Sequence, residues 1–308
     1  MSDDGGSGFA SQSPGPDFLM RLLLTGAHGF TGQHLSLAAS AAGYEVFSLE
    51  GNLQEIESLR EQVHKIHPTH VVHLAGISHV TGDHELAYYE VNLLGSLNLL
   101  KALKDLVTLP QKVILASTAH VYGNYESSSI KESERLAPIS HYAMSKLAME
   151  YMSQPFLKRF PLVLTRPFNY TGVGHDSRFV IPKIIEHFRC KAPVIELGDI
   201  DVLREYNDVR DVCDVYLKLL LLGKSGQTYN IASGRSHSLR QVIASLEKLS
   251  GHVIRVEQNP QFLRVHEMFN LAGDSRRLEE CIGELPWRSL EATLQWMLND
   301  QIASTQVI

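Results

Sequence analysis

Arg21-Leu22-Leu23-Leu24-Thr25-Gly26-Ala27-His28-Gly29-Phe30-Thr31-Gly32 decides the fold. A strand-length apolar run ends at Thr25, glycines fall at 26, 29 and 32, and a helical pattern of Leu35, Ala38, Ala39 and Ala42 follows, closed by Gly43. Glycine permits a tight turn and close backbone approach to a pyrophosphate. The helix N-terminus behind it offers free N–H groups and the positive end of a dipole to an anion. The spacing is GxxGxxG rather than GxGxxG, and the strand–turn–helix context makes Gly26, Gly29, Phe30, Thr31 and Gly32 a dinucleotide-binding loop. His28 is read as a spacing residue. Eighteen residues beyond Gly32, Glu50 closes a second apolar run, Tyr44 to Leu49. An acid there accepts the adenosine ribose hydroxyls and repels a 2′-phosphate. The expected cofactor is therefore NAD(H) or NADP(H), with NADH favoured.

Outward from this stretch, apolar runs alternate with amphipathic ones. A helix is expected over Ile56–Ile66, strands over Thr69–Ala75 and Lys112–Ser117, a helical stripe through Leu93, Leu97, Leu100 and Leu103, a mostly helical Ser140–Phe160, and a strand over Pro161–Thr165. That alternation predicts an α/β fold: a Rossmann-type doubly wound parallel sheet with a smaller C-terminal substrate-binding region. Residues 1–19, rich in Gly, Ser, Pro and Asp, read as a disordered or appended tail; 20–169 as the dinucleotide-binding domain; 170–308 as mainly substrate-binding, with segments returning to the main sheet. In that last part Val212, Val215, Tyr216 and Leu219 share a helical face, and Ser238 with Gln241 forms a capping box before a helix closed by Gly251.

Composition excludes several classes. A chain of 308 residues, 44% hydrophobic and 20% charged, is ordinary globular protein. A net charge of −6 provides no basic field for nucleic acid or an anionic membrane, so neither is expected as a partner. No run approaches the length of a membrane span. The 15 His have no metal-site spacing, and Cys190, Cys213 and Cys281 read as reduced thiols, so no metal and a cytoplasmic location are expected.

Tyr142 and Lys146 stand four apart on a predicted helix and share a face. A nearby ammonium favours the phenolate, so the pair can exchange a proton at an alcohol or carbonyl while a nicotinamide carries the hydride. Ser117 and Thr118 end a strand 24 residues before Tyr142, placing hydroxyls at the same carboxyl edge of the sheet.

In order along the chain, Thr25–Gly32, Leu74-Ala75-Gly76, Asn92 to Gly95, Ser117 to Gly123, Tyr142-xxx-Lys146 and Arg166 to Asn169 resemble the extended short-chain dehydrogenase/reductases, a family of sugar-nucleotide epimerases, dehydratases and reductases. The resemblance spans Arg21 to about Leu298. It implies that Tyr142 is the acid–base residue, that Lys146 lowers its pKa and holds the nicotinamide ribose, and that Thr118 polarises the substrate. It further implies that Leu74, Ala75, Gly76, Asn92, Ser117, Pro167 and Phe168 lie along the cofactor. Asn169 and Val180 would lie by the substrate, and a homodimer would form through the helices around Leu93–Leu103 and Tyr142. Gly198 to Val209 and Leu263 to Glu267 most resemble the GDP-4-keto-6-deoxy-mannose reductases, in which Arg204 and Arg264, with Glu267, would hold the sugar nucleotide and Ser78, His79 and Val80 would line the sugar pocket. Arg264-Val265-His266-Glu267 departs from the usual Arg-Pro-x-Glu, and the path from Leu49 to Leu53 is short on the adenosine side.

The expected activity is NAD(P)H-dependent reduction of the 4-keto group of a nucleotide-activated 6-deoxy sugar. A 4-epimerase or 4,6-dehydratase is the alternative within the class. A non-catalytic dinucleotide sensor is the alternative outside it, opposed by the presence of Thr118, Tyr142 and Lys146 together.

Overall fold

Residues 20–78, 84–124, 129–262 and 270–300 are described in a computed structural model. The expectations for residues 1–19, His79, Val80, Arg264 and Glu267 lie outside the described residues. The elements in chain order are β1 (Met20–Thr25), α1 (Phe30–Ala41), β2 (Tyr44–Ser48), α2 (Ile56–Ile66), β3 (His70–His73), the short α3 (Leu86–Tyr88), a π-helical stretch (Tyr89–Gly95), α4 (Ser96–Lys104) and β4 (Lys112–Ala116). A 3₁₀ turn (Ala119–Tyr122), α5 (His141–Ser153), β5 (Leu162–Pro167), β6 (Tyr170–Thr171), α6 (Val180–Arg189), β7 (Val194–Leu197), β8 (Leu203–Glu205), β9 (Asn207–Asp208) and α7 (Val209–Leu222) follow. The chain ends with β10 (Thr228–Ile231), β11 (Ser236–Ser238), α8 (Leu239–Ser250), β12 (Arg255–Gln258), β13 (Asn270–Leu271), α9 (Arg276–Ile282) and α10 (Leu290–Asn299).

Six parallel strands in the order β10-β5-β4-β3-β1-β2 make the main sheet. Both faces are covered, and the strand sequences show why. Leu22, Leu24, Val72, Ile114 and Val163 point to a layer holding Leu35 and Ala39 of α1 and Val212, Tyr216 and Leu219 of α7. Leu23, Val71, Val113, Leu115, Leu162 and Leu164 point to the other layer, with Leu59 and Val63 of α2 and Leu99 and Leu103 of α4. Period-2 side chains that are apolar on both faces commit a strand to the centre of a parallel sheet. From β1 the chain winds out to β2 at one edge and then returns to place β3 on the other side of β1. The carboxyl ends of β1 and β3 therefore flank a topological switch point, where open α/β sheets bind ligands.

The C-terminal part has its own core, with Ile181, Ile184 and Ile185 of α6, Ile195 and Leu197 of β7, Val242 and Leu246 of α8, and Leu294 of α10. Ser238 and Gln241 form the capping box at the start of α8, and Gly251 ends that helix at φ 68°. β6 pairs with β9 in parallel, tying the exit of the main sheet to this region. β10 joins the main sheet beside β5, and α7 packs against α1. Two expected helices are interrupted. The leucine stripe begins in the π stretch, and the Ser140–Phe160 helix yields to a 3₁₀ turn over Gln154–Lys158, where Pro155 has no N–H for an α-helical bond. Among the described residues no helix is long and apolar enough to cross a membrane.

Candidate active site

The loop after β1 has the shape of a phosphate cradle. Gly26 takes φ +73°, and a Cβ there would meet the Ala75 backbone nitrogen at 2.8 Å. A Cβ on Gly32 would stand 2.0 Å from the Gly26 carbonyl oxygen. Gly29 leads into α1 with no side-chain cap, so the leading N–H groups have no intrahelical acceptor. Phe30 stacks on His175 at 4.3 Å, and Thr31 Oγ1 bonds the Tyr170 hydroxyl at 2.8 Å, which anchors the cradle to the segment after β5. Ser117 Oγ is buried with no hydrogen-bond partner among the described residues, the kind of orphan that a bound polar group satisfies. These features fit a dinucleotide. Glu50 lies exposed just past β2, and its backbone is clamped by Gln62 of α2 through bonds of 2.8 and 2.9 Å.

A buried chain of hydrogen bonds joins the loop after β3 to this cradle. Ser96 donates to the Asn92 carbonyl at 2.6 Å, so its oxygen accepts from His73 Nε2–H at 2.7 Å. His73 Nδ1 then accepts from the Thr25 hydroxyl at 2.6 Å, and Thr25 Oγ1 accepts from the Ala75 N–H at 3.2 Å. This direction requires a neutral imidazole, and burial, aided by the Lys146 cation, pushes His73 down to about 3. Asn92, in the π stretch, takes the Ile77 N–H at 2.8 Å and donates to the Ile77 carbonyl at 3.0 Å and to Ser145 Oγ at 3.0 Å. Departures from α-helical pitch recur at functional sites, and this one brings Asn92 to the Leu74–Ile77 loop.

Ser140 caps α5, whose Tyr142 and Lys146 face the crevice. Tyr142 lies beside Thr118, and its ring lies 6.2 Å from those of both His120 and Tyr88. Lys146 is buried, donates to the Ala116 carbonyl at 2.9 Å, and lies close enough to Gly76 that a Cβ there would meet Nζ at 3.0 Å. Burial lowers Lys146 to about 8, against the opposing pull of Glu150. The expectation that the ammonium depresses the Tyr142 phenol is corrected here. Burial raises Tyr142 above the ordinary phenol value and outweighs the lowering by Thr118, with Tyr88 adding to the rise. A phenol held this way stays protonated at neutral pH, the form that donates a proton.

The sequence-predicted residues divide into groups. Gly26, Gly29, Phe30, Thr31, Gly32, Leu74, Ala75, Gly76, Asn92, Ser117, Thr118, Tyr142 and Lys146 all lie on segments that meet at the switch point. Pro167 ends β5. The Phe168 ring is buried against Tyr122 and Gly273, and its N–H is taken by the Ile231 carbonyl, so this side chain belongs to the core behind the crevice. The Asn169 carbonyl accepts from the Asn207 N–H at 3.1 Å, which sets Arg204 of β8 three residues from the contact. Arg204 is buried and donates to the Leu203 carbonyl at 2.7 Å. Val180 starts α6, and Ser78 is exposed. Sequence reasoning missed Tyr88 and Tyr170. Tyr88 carries one faint signal, its position one helical turn before Asn92. Among the described residues no three His, Cys, Asp or Glu side chains gather as a metal site.

Comparison with known proteins agrees with this fold. Over 294 residues, 94% of this chain and 100% of the relative, the sequence is 31% identical to the GDP-6-deoxy-D-talose 4-dehydrogenase of Aggregatibacter actinomycetemcomitans. It is 32% identical to the GDP-6-deoxy-D-mannose reductase of Pseudomonas aeruginosa, over 91% of this chain and 96% of that one. Among solved structures, RMD from Pseudomonas aeruginosa, complexed with NADPH, superposes with a TM-score of 0.83 at 32% identity, covering 91% of this chain and 96% of that one. Residues 22–232 match the NAD dependent epimerase/dehydratase family, and the chain belongs to that family.

Proposed function

We propose that this chain reduces the 4-keto group of a nucleotide-activated 6-deoxy sugar with NAD(P)H. The substrate is GDP-4-keto-6-deoxy-mannose and the product GDP-rhamnose or GDP-6-deoxytalose. The observation that carries the reading is the Thr118 hydroxyl beside the Tyr142 phenol at the switch-point crevice, followed in the chain by the buried Ala119. The relatives named above, a GDP-6-deoxy-D-talose 4-dehydrogenase and a GDP-6-deoxy-D-mannose reductase, support the substrate class. A bound nicotinamide supplies the hydride. The chain supplies the rest: Thr118 hydrogen-bonds the carbonyl oxygen, Tyr142 protonates it, and the Lys146 ammonium stabilises charge that develops there. Arg204, Asn169 and Val180 hold the sugar nucleotide.

A 4,6-dehydratase must also move protons at C5 and C6, using acidic residues directly after the Thr. Here those positions hold Ala119, which has no proton to exchange, and a single His120. The two helical segments flanking the site expose Leu86, Leu94, Met144, Tyr151 and Met152, an apolar face that supports a homodimer through them. The net charge of −6 supports an enzyme without nucleic-acid or membrane partners, and the free Cys190, Cys213 and Cys281 support a cytoplasmic location. The test is stoichiometric oxidation of added NAD(P)H by a 4-keto-6-deoxy sugar nucleotide. Conversion of GDP-mannose to the keto sugar without added reductant would establish the dehydratase instead.

A further inference from the structure

Beneath the crevice lies an ion pair that the reaction does not touch. Glu150 stands four residues after Lys146, so Tyr142, Lys146 and Glu150 share one face of α5. Both Glu150 oxygens are taken by Arg166, Nε to Oε1 at 3.0 Å and Nη2 to Oε2 at 2.6 Å, with the two side chains 5% and 6% exposed. Arg166 Nη1 donates to the Tyr122 hydroxyl at 3.0 Å and to the Glu132 carbonyl at 3.2 Å, and the guanidinium lies 5.0 Å from the centre of the Tyr122 ring. Tyr122 in turn donates to Asn230 Oδ1 at 2.7 Å. One pair thus joins three segments of the site: α5, the turn that follows Thr118, and the end of β5 that leads to Pro167–Asn169.

We infer that Glu150 and Arg166 are positioning residues for proton transfer, the clamped carboxylate keeping the Lys146 ammonium charged and fixed one helical turn from Tyr142. Among the described residues, the groups around Lys146 leave Glu150 alone in this role. On α5 the neighbours are Tyr142, which is neutral, and Glu150. From β3 comes His73, also neutral, and from β4 the Ala116 carbonyl, a dipole only. Arg166 of β5 stands behind Glu150. Its bidentate hold fixes the carboxylate in a buried setting. Burial drives Lys146 toward the neutral amine, and the Glu150 charge opposes this. A pair serving only to fasten three segments would leave the lysine's titration unmoved.

The kinetic consequence rests on the reductase reading, but the primary test does not. The Lys146 ¹³Cε resonance, assigned by its loss in Lys146→Met, is titrated by NMR in the wild type, in Glu150→Gln and in the double variant Glu150→Met/Arg166→Met. The double variant leaves no orphan charge and answers the question where Glu150→Gln fails to fold. Wild-type Lys146 is expected to titrate at about 8, and in the variants at least about one pH unit lower, the usual minimum for losing an adjacent opposite charge. The alkaline limb of kcat/KM for keto-sugar reduction should move with it. A folded double variant whose Lys146 titrates like the wild type overturns the inference. A wild type without keto-sugar turnover would sink the reductase reading and leave the NMR titration able to decide this one.

Discussion

Lys146→Met isolates what the crevice costs the fold. The lysine is 4% exposed, and its ordinary value of 10.5 falls to about 8. The difference, 10.5 − 8, corresponds to roughly 3.5 kcal/mol by which the folded state disfavours the ammonium at neutral pH, at about 1.4 kcal/mol per unit. Methionine has nearly the same length, so it leaves little cavity. It deprives the Ala116 carbonyl of its donor, a loss of about 1 kcal/mol, while Arg166 still holds both oxygens of Glu150. The apo variant should therefore be more stable than the wild type by about 2–3 kcal/mol at pH 7, a rise of roughly 4–8 °C in Tm. The pH dependence follows from the sign of the shift. The folded-state value lies below the unfolded one, so between about 8 and 10.5 the unfolded chain binds more protons and wild-type stability climbs with pH. The advantage of methionine is full below about pH 8 and disappears toward 10.5. Thermal melts at pH 7, 9 and 10.5, at constant ionic strength and without coenzyme, read this directly. A variant that melts below the wild type at pH 7, or an advantage that persists undiminished at high pH, would refute the reasoning. Turnover should be lost at every pH.

Four further outcomes are expected. Tyr142→Phe should keep the fold and coenzyme affinity and lose at least about a hundredfold in kcat, the usual worth of a positioned proton donor; near wild-type turnover would remove Tyr142 from its role. Gly32→Ala drives a Cβ to 2.0 Å from the Gly26 carbonyl, so titration calorimetry should show coenzyme binding abolished or severely weakened. Arg204→Ala should raise KM for the sugar nucleotide and leave coenzyme affinity unchanged, in steady-state kinetics and a separate coenzyme titration. Glu50, its backbone fixed by Gln62, should favour NADH over NADPH in kcat/KM, and Glu50→Gln should narrow the ratio; a clear NADPH preference in the wild type defeats this.

The main sheet was legible because its signals are local. Each strand is a short run apolar on both faces, and the glycine turn after β1 can be placed by chemistry alone. The helix from Ile56 to Ile66 was delimited to the residue, since Leu59, Val63 and Ile66 bury one face and charges cover the other. The C-terminal part was harder. β8, β9 and β13 are two or three residues long. Their existence depends on partners distant in the chain, Leu203 and Arg204 with Asn270 and Leu271, and Asn207 and Asp208 with Tyr170 and Thr171. No periodicity forms over so short a span.

The site divides along the same line. Tyr142, Lys146 and Thr118 were found because spacing and strand ends reveal them. The groups that set their protonation were not, because those act across sequence separations that no motif records. Arg166 reaches back 16 residues to Glu150, and Thr25 lies 48 residues from His73. This explains the error over Tyr142. The i, i+4 spacing shows a cation near a phenol and so predicts a lowered pKa. The depth at which α5 buries that phenol, and the Ala116 carbonyl that engages the cation, are set by how α5 packs on the sheet. Burial then wins and the phenol stays protonated. For an enzyme that delivers a proton to a carbonyl oxygen, this is the productive state: the donor is loaded before the substrate arrives. Glu150 then decides whether the neighbouring lysine is still charged when it does.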